Sequence, residues 1–135
     1  MSEANKELAH RWFEEVWNQK SEASIDAMYA PQAQCHGFPD ANSILIGPEA
    51  FKDVHRNFLG AFPDLHAELA DIITEGDRVA IRWRVTMTHT GDNLGIPASG
   101  KQVAMDGSSF IIVKDGQIQE GWNYMDIQNL FAQLK

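Results

Sequence analysis

The period of the hydrophobic residues changes once along this chain, near Leu65, and that change restricts the folds open to it. Before it, apolar residues recur at helical spacing; after it, they alternate. In "NKELAHRWFEEVWNQ", Leu8, Ala9, Trp12, Phe13, Val16 and Trp17 share one face, with Lys6, Glu7, Arg11, Glu14 and Glu15 opposite. The spacing predicts an amphipathic helix with an aromatic face. Ser24 is placed to cap a second helix, "IDAMYA", which Pro31 stops. "QCHGFP" reads as a short extended piece leading into a loop. Gly47-Pro48-Glu49 opens a third helix with proline in its first turn. Phe51, Val54, Phe58, Leu59 and Phe62 form its apolar stripe, and Pro63 ends it.

From Leu65 the reading is of strands. "LHAELADII" alternates but slips near Asp71, which predicts a bulge there. "EGD" at 75–77 is a turn. In "RVAIRWRVTMTHT", Val79, Ile81, Trp83, Val85, Met87 and His89 fall on one face, and Arg78, Arg82, Arg84, Thr86 and Thr88 on the other. A Gly/Pro loop, "GDNLGIPASG", follows, then a third long strand, "KQVAMDGSSFIIV". Asp115-Gly116 is a two-residue hairpin turn into a fourth, "IQEGWNYM". "DIQNLFAQL" closes the chain as a short helix. Helices segregated from antiparallel strands mean an α+β fold, here one domain over residues 1–135. Strands of this length favour a curved sheet, and helices on its concave side would enclose a pocket.

Composition narrows the function classes. The net charge of −8 repels phosphate backbones, and no Lys/Arg cluster exists, so nucleic acid is not an expected partner. One cysteine, Cys35, excludes an intrachain disulfide. The N-terminal "MSEANKELAHRW" has no apolar core of a signal peptide, and no apolar run approaches a membrane span. The expectation is a cytoplasmic protein that does not enter the membrane. The five histidines, at 10, 36, 55, 66 and 89, form no H-x-H or H-x-x-x-H pair, so no metal site is expected. Neither G-x-G-x-x-G nor a P-loop occurs, so no nucleotide cofactor is expected.

The segments "WFEEVWNQ", "YAPQAQCHG", "GPEAFK", "AFPDLHAEL", "EGDRVAIRWRVTMTHTGDNLGIPASGKQV" and "VKDGQIQEGWNYMDIQNLFAQL" together resemble the SnoaL-like polyketide cyclase (ester cyclase) family of the NTF2-like superfamily. They cover nearly the whole chain in order; "THTG…LGIP…G" and the "DG-I-E-W---D" tail are the most specific. The resemblance implies a cone-shaped, highly curved antiparallel sheet, sealed by three N-terminal helices, with a short C-terminal helix. It also implies a homodimer or higher homo-oligomer. The implied activity is cofactor-free acid/base chemistry on a small apolar carbonyl or ester compound: aldol-type cyclisation, or a related isomerisation or hydrolysis. The alternative on the same scaffold is a non-catalytic small-molecule binding or regulatory domain. The family's acid/base Asp on the last long strand falls, by the E-x-W-x-x-x-D spacing, at Asp126. A His often accompanies it on the preceding strand; that position here is Ser109.

Each candidate carries more than one reading. Asp126 is a general acid/base beside the pocket, its pKa raised by apolar neighbours, or an N-cap of the terminal helix. Glu120, Trp122, Tyr124 and Asp126 share one face by parity, the face a Trp would turn inward. Glu120 then reads as a second pocket carboxylate, as an ion-pair partner of Arg82 or Arg84, the favoured reading, or as a dimer contact. His89 is a proton relay or pins the loop after it. His36 binds substrate or is a hydrogen-bonded structural residue. Ser109 cannot be a general base; it donates to an oxyanion or fills space. Tyr124 orients a substrate carbonyl or meets another subunit. Trp83 and Trp122 are core residues or bound a flat aromatic ligand. Phe58 and Ile96, with Met28, Tyr29, Phe51, Phe62 and Leu94, are candidate pocket liners.

Overall fold

The aromatic first helix forms as its spacing requires. In the computed structural model, which describes residues 2–135, α1 (Ser2–Arg11) runs on without a break into a π-helical stretch, Trp12–Asn18. Its wider turns bury Trp12, Phe13 and Val16 side by side. The Val16 carbonyl accepts the Nε2–H of buried His55, 2.8 Å away. Burial pushes the His55 pKa down, so the ring stays neutral and keeps that proton for the bond. The second helix, α2 (Glu22–Met28), begins one residue after Ser21, whose hydroxyl accepts from the Ser24 backbone N–H. Ser21 is therefore the cap, one turn before the expected Ser24. Pro31 does not end the helix; Tyr29 already does, and Pro31 lies inside β1 (Tyr29–His36).

A short strand, β2 (Ile44–Ile46), precedes α3 (Gly47–Ala61). No alternation marks β2, which has only three residues and lies on a sheet edge. The remaining strands are β3 (His66–Glu75), β4 (Arg78–Thr88), β5 (Gln102–Lys114) and β6 (Gln117–Met125), followed by α4 (Ile127–Gln133). They form one curved, unclosed sheet in the order β2-β1-β6-β5-β4-β3. The long strands make an antiparallel meander, but β1 joins β6 in parallel. The bulge near Asp71 is present, as a register shift between Leu69 and Asp71.

The helices cover one face of the sheet, and the core lies between. Val79, Ile81, Trp83, Val85 and Met87 of β4 and Val103, Met105, Ile111 and Val113 of β5 are buried there. The outer face carries charges in cross-strand pairs. Arg82 bonds Asp71 of β3 at 2.7 Å, and Arg84 bonds Asp106 of β5 at 2.9 Å. Both arginines are thereby engaged, so the expected pairing of either with Glu120 does not occur.

One irregularity decides which side chains reach the interior. Across β5 and β6 the register shifts between Ile112 and Val113: Val113 faces Ile118, but Ile112 faces Glu120. The extra residue in β6 reverses its parity. Ile118 and Gly121 are both buried, and Asn123 and Met125 point inward with them. Glu120, Trp122 and Tyr124 point outward. The inward face expected for these three is thus corrected.

Candidate functional site

Between the concave face and the helices lies a cavity of about 90 Å³. At ~10–15 Å³ for each water-sized group, it has room for roughly six to nine of them. Aromatic residues from the helical layer, Trp12, Phe13, Trp17, Phe51 and Phe58, form one wall. Ile81, Trp83, Val85, Met105 and Ile111 of the sheet form the opposite one. The lining holds no Asp, Glu, Lys, Arg or His.

A narrow polar strip crosses this apolar surface. Strand register sets Ile81 beside Ser109 and Ser109 beside Asn123. The Trp83 indole N–H donates to Ser109 Oγ at 3.0 Å, and the Ser109 hydroxyl donates to Asn123 Oδ1 at 2.7 Å. Asn123 Nδ2 donates onward to the His36 carbonyl at 3.0 Å and to Cys35 Sγ at 3.3 Å. Each donor in the chain has an acceptor. Burial holds the Cys35 thiol protonated, its pKa pushed up to about 11 despite the Asn123 contact. Tyr29 also lines the cavity, its ring stacked on Trp12 (5.8 Å between centroids, 20°). Burial, and then the nearby Cys35, push its ionisation well above the usual phenol range.

The residues singled out in the sequence divide into three places. Trp83, Ser109 and Phe58 line the cavity. His36, Trp122, Tyr124 and Asp126 instead surround a recess on the outer face. There the His36 and Trp122 rings stack at 5.3 Å and 8°, and His36 Nε2 lies 2.7 Å from Glu120 Oε2. His36 is therefore the partner of Glu120. His89 and Ile96 reach neither place. His89 is fully buried, and its Nδ1 accepts the Ser99 backbone N–H at 3.1 Å. With His89 N–H bonded to the Lys101 carbonyl and Gly100 N–H to the His89 carbonyl, it pins both ends of the Gly/Pro loop. Ile96 sits in that loop, half-buried against the core.

The SnoaL-like polyketide cyclase family model matches residues 7–134. The chain belongs to the SnoaL-like polyketide cyclase family. Solved structures agree in fold. A candidate SnoaL-like polyketide cyclase from Jannaschia sp. CCS1 is 23% identical, with a TM-score of 0.89 over 98% of this chain and 92% of that one. A candidate polyketide cyclase from Acidithiobacillus ferrooxidans is 26% identical, with a TM-score of 0.83 over 97% and 94%. IdmH, a candidate polyketide cyclase from Streptomyces antibioticus, is 27% identical, with a TM-score of 0.82 over 96% and 97%. Comparison with curated proteins finds no match.

Family membership supports a cyclase- or isomerase-type role. Among the described residues of this SnoaL-like chain, no group of three or more His, Cys, Asp or Glu is placed to hold a metal ion. No described helix is long and apolar enough to cross a membrane. Asn123, Cys35 and Gly121 are cavity residues that the sequence reading did not select. The bulge in β6 hid the first and third. Cys35 carried a usable signal, since it alternates with Ala33 on β1, and both are buried.

Asp126 is exposed and caps α4: its Oδ1 accepts the Asn129 backbone N–H at 2.9 Å. Asparagine caps as well as aspartate, and alanine cannot. Asp126→Ala should therefore lose about 1 kcal/mol of stability and Asp126→Asn almost none, measured by denaturant titration. Equal losses in both variants would show that the charge, not the cap, matters there.

Proposed function

We propose that this chain binds a compact, neutral, mostly apolar carbonyl or ester compound in the interior cavity, and promotes a ring-closing or isomerising change in it without a cofactor. One observation carries the reading: an apolar cavity crossed by a strip of neutral hydrogen-bonding groups, with no ionisable carboxylate or imidazole in its lining. A charged ligand would enter unpaired, at a cost of several kcal/mol or more. A neutral one loses little and gains the burial of its apolar surface. Confinement in a fixed orientation is what these walls supply to a reacting molecule, since the donors of the polar strip are engaged with one another and with β1.

The acid/base assignment to Asp126 and His89 requires both groups to reach the ligand. Asp126 lies on the outer recess and His89 behind the loop it pins. Proton transfer by Asp126 would then need the C-terminal end of β6 to turn inward in a liganded form. The second reading, a non-catalytic binding domain, is favoured by the same neutrality of the lining.

The test is direct. Trp12, Trp17 and Trp83 line the cavity, so a ligand there should perturb tryptophan fluorescence and the indole N–H resonances. Compact neutral cyclic ketones should do so saturably, and carboxylates of the same size should not. A response to the carboxylates alone, or to neither, overturns the proposal. Product formation monitored by mass spectrometry then separates a cyclase or isomerase from a binding domain.

A further inference from the structure

A ligand can enter the cavity only where its wall yields. The concave wall is a continuous ladder of paired strands, and the aromatic wall sits on two helices. Two lining residues lie outside the helices and strands, Leu65 and Phe38. Leu65 belongs to the short connection before β3, which Asp64 ties to the Thr88 N–H and hydroxyl of β4, each at 2.7 Å. Phe38 belongs to the loop 37–43 between β1 and β2, and that loop is fastened differently. The Gly37 N–H donates to the Ser43 carbonyl at 2.9 Å and closes its neck. Asp40 binds it internally, Oδ1 accepting the Asn42 N–H at 3.1 Å and the Ser43 hydroxyl at 3.0 Å. Among the described residues, no hydrogen bond or ion pair joins residues 38–42 to anything outside the loop. What holds the loop down is the Phe38 ring, its one buried side chain, 6% exposed. That ring stands edge-to-face with Trp17 at 5.7 Å and Phe58 at 5.9 Å, and tilts against Phe51 at 5.8 Å. Gly37 and Ala41 of the same loop line the outer recess, and Asn123 and Met125 border both recess and cavity.

We propose that the 37–43 loop is the gate of the cavity, with Phe38 as its plug, and that the outer recess is the vestibule through which a ligand enters. A compact loop bonded within itself moves as a unit. Swinging it outward breaks none of its own hydrogen bonds and sacrifices the burial of one ring. The bond from Asn123 to the His36 carbonyl lies at the foot of the loop and stays in place. Such an opening needs far less than global unfolding, so it occurs within the native protein. The inference rests on the cavity being the binding site, but its test needs no ligand.

Cys35, the single cysteine of the chain, lines the cavity and is 5% exposed. Burial keeps its thiol protonated, so the closed protein is inert to thiol reagents. Labelling by methyl methanethiolsulfonate, a small neutral reagent, followed by intact mass, therefore measures how often the cavity opens. In native buffer, labelling should outrun what global unfolding allows. Phe38→Ala should speed it about ten- to hundredfold, the factor lost with one buried ring. Phe38→Leu should speed it severalfold, and it decides the question by the same measure if the alanine variant does not fold. Phe13→Ala takes a ring of equal size from the helical wall; it should lower stability but leave the labelling rate within about twofold. An unchanged rate in the folded Phe38 variants, or equal acceleration by Phe13→Ala, overturns the gate. Accelerated labelling in Phe38→Ala, together with no saturable binding of neutral ketones, would keep the gate and sink the binding reading instead.

Discussion

Replacing Asn123 with leucine is expected to destabilise the protein by about 2–4 kcal/mol, read as a lower denaturant midpoint at unchanged slope. Leucine has nearly the shape of asparagine but can neither accept nor donate. The Ser109 hydroxyl would lose its acceptor, 2.7 Å away, and the His36 carbonyl its donor, 3.0 Å away. Ser109 is buried, so water cannot easily replace the missing partner. Each orphaned group of this kind costs about 1–3 kcal/mol. The bond from Trp83 to Ser109 should survive, because the serine oxygen still accepts. Ser109→Ala makes the complementary cut, leaving the Trp83 N–H and Asn123 Oδ1 without partners. Since both variants break the same Ser109–Asn123 bond, the double variant should lose less than the sum of the singles, by about 1 kcal/mol. Strict additivity would mean that the three side chains act independently and not as one chain of bonds.

The order of elements was legible because each carries its own period or its own turn. Trp12, Phe13 and Val16 could only share a face on a helix, and Val79 through Met87 only on a strand. The Asp115-Gly116 turn was legible because both residues must take positive φ, +55° and +72° here, which Asp tolerates and Gly prefers. What the chain does not announce is pairing between distant segments. The parallel contact of β1 with β6 depends on residues more than 80 positions apart, such as His36 and Trp122.

The site was harder to read for one reason. An unbulged hairpin from Asp115-Gly116 would set Ser109 across from Trp122. The extra residue in β6 sets it across from Asn123 instead. Nothing in "IQEGWNYM" marks that insertion, since its Gly121 fits an inward position against Ile111 as readily as a bulge. A Trp is also a poor marker of an inward face. Trp122 is half-buried outside, covered by His36 on one side and edge-on to Phe110 (6.1 Å, 65°) on another. Parity identified the residues that belong together, and only the register told which group faces the cavity.

The second large effect is expected at Gly107, where Trp83 lies across β5. A methyl group added at Gly107 would overlap the outer carbons of the Trp83 ring and come within 2.9 Å of the Tyr124 carbonyl. The carbonyl belongs to the β6 backbone and cannot yield without disturbing the pairing of Gly107 with Met125. The ring must move, and the open direction is the cavity. Gly107→Ala should therefore cost about 1–3 kcal/mol, the usual range for overpacking. It should also pull the indole N–H from Ser109 and weaken binding of any cavity ligand. The indole N–H resonance of Trp83 should shift toward its unbonded position. Gly121→Ala is the control: its methyl would meet the Ile111 Cγ2 methyl at 3.3 Å, a contact that a shift of a few tenths of an ångström relieves. Its loss should stay below about 1 kcal/mol. Trp83→Phe in the Gly107→Ala background should recover part of the stability by shortening the ring, but not the Ser109 bond. If Gly107→Ala matches the parent in both stability and the Trp83 resonance, the ring is not wedged over the glycine, and the shape of the cavity wall must have another cause.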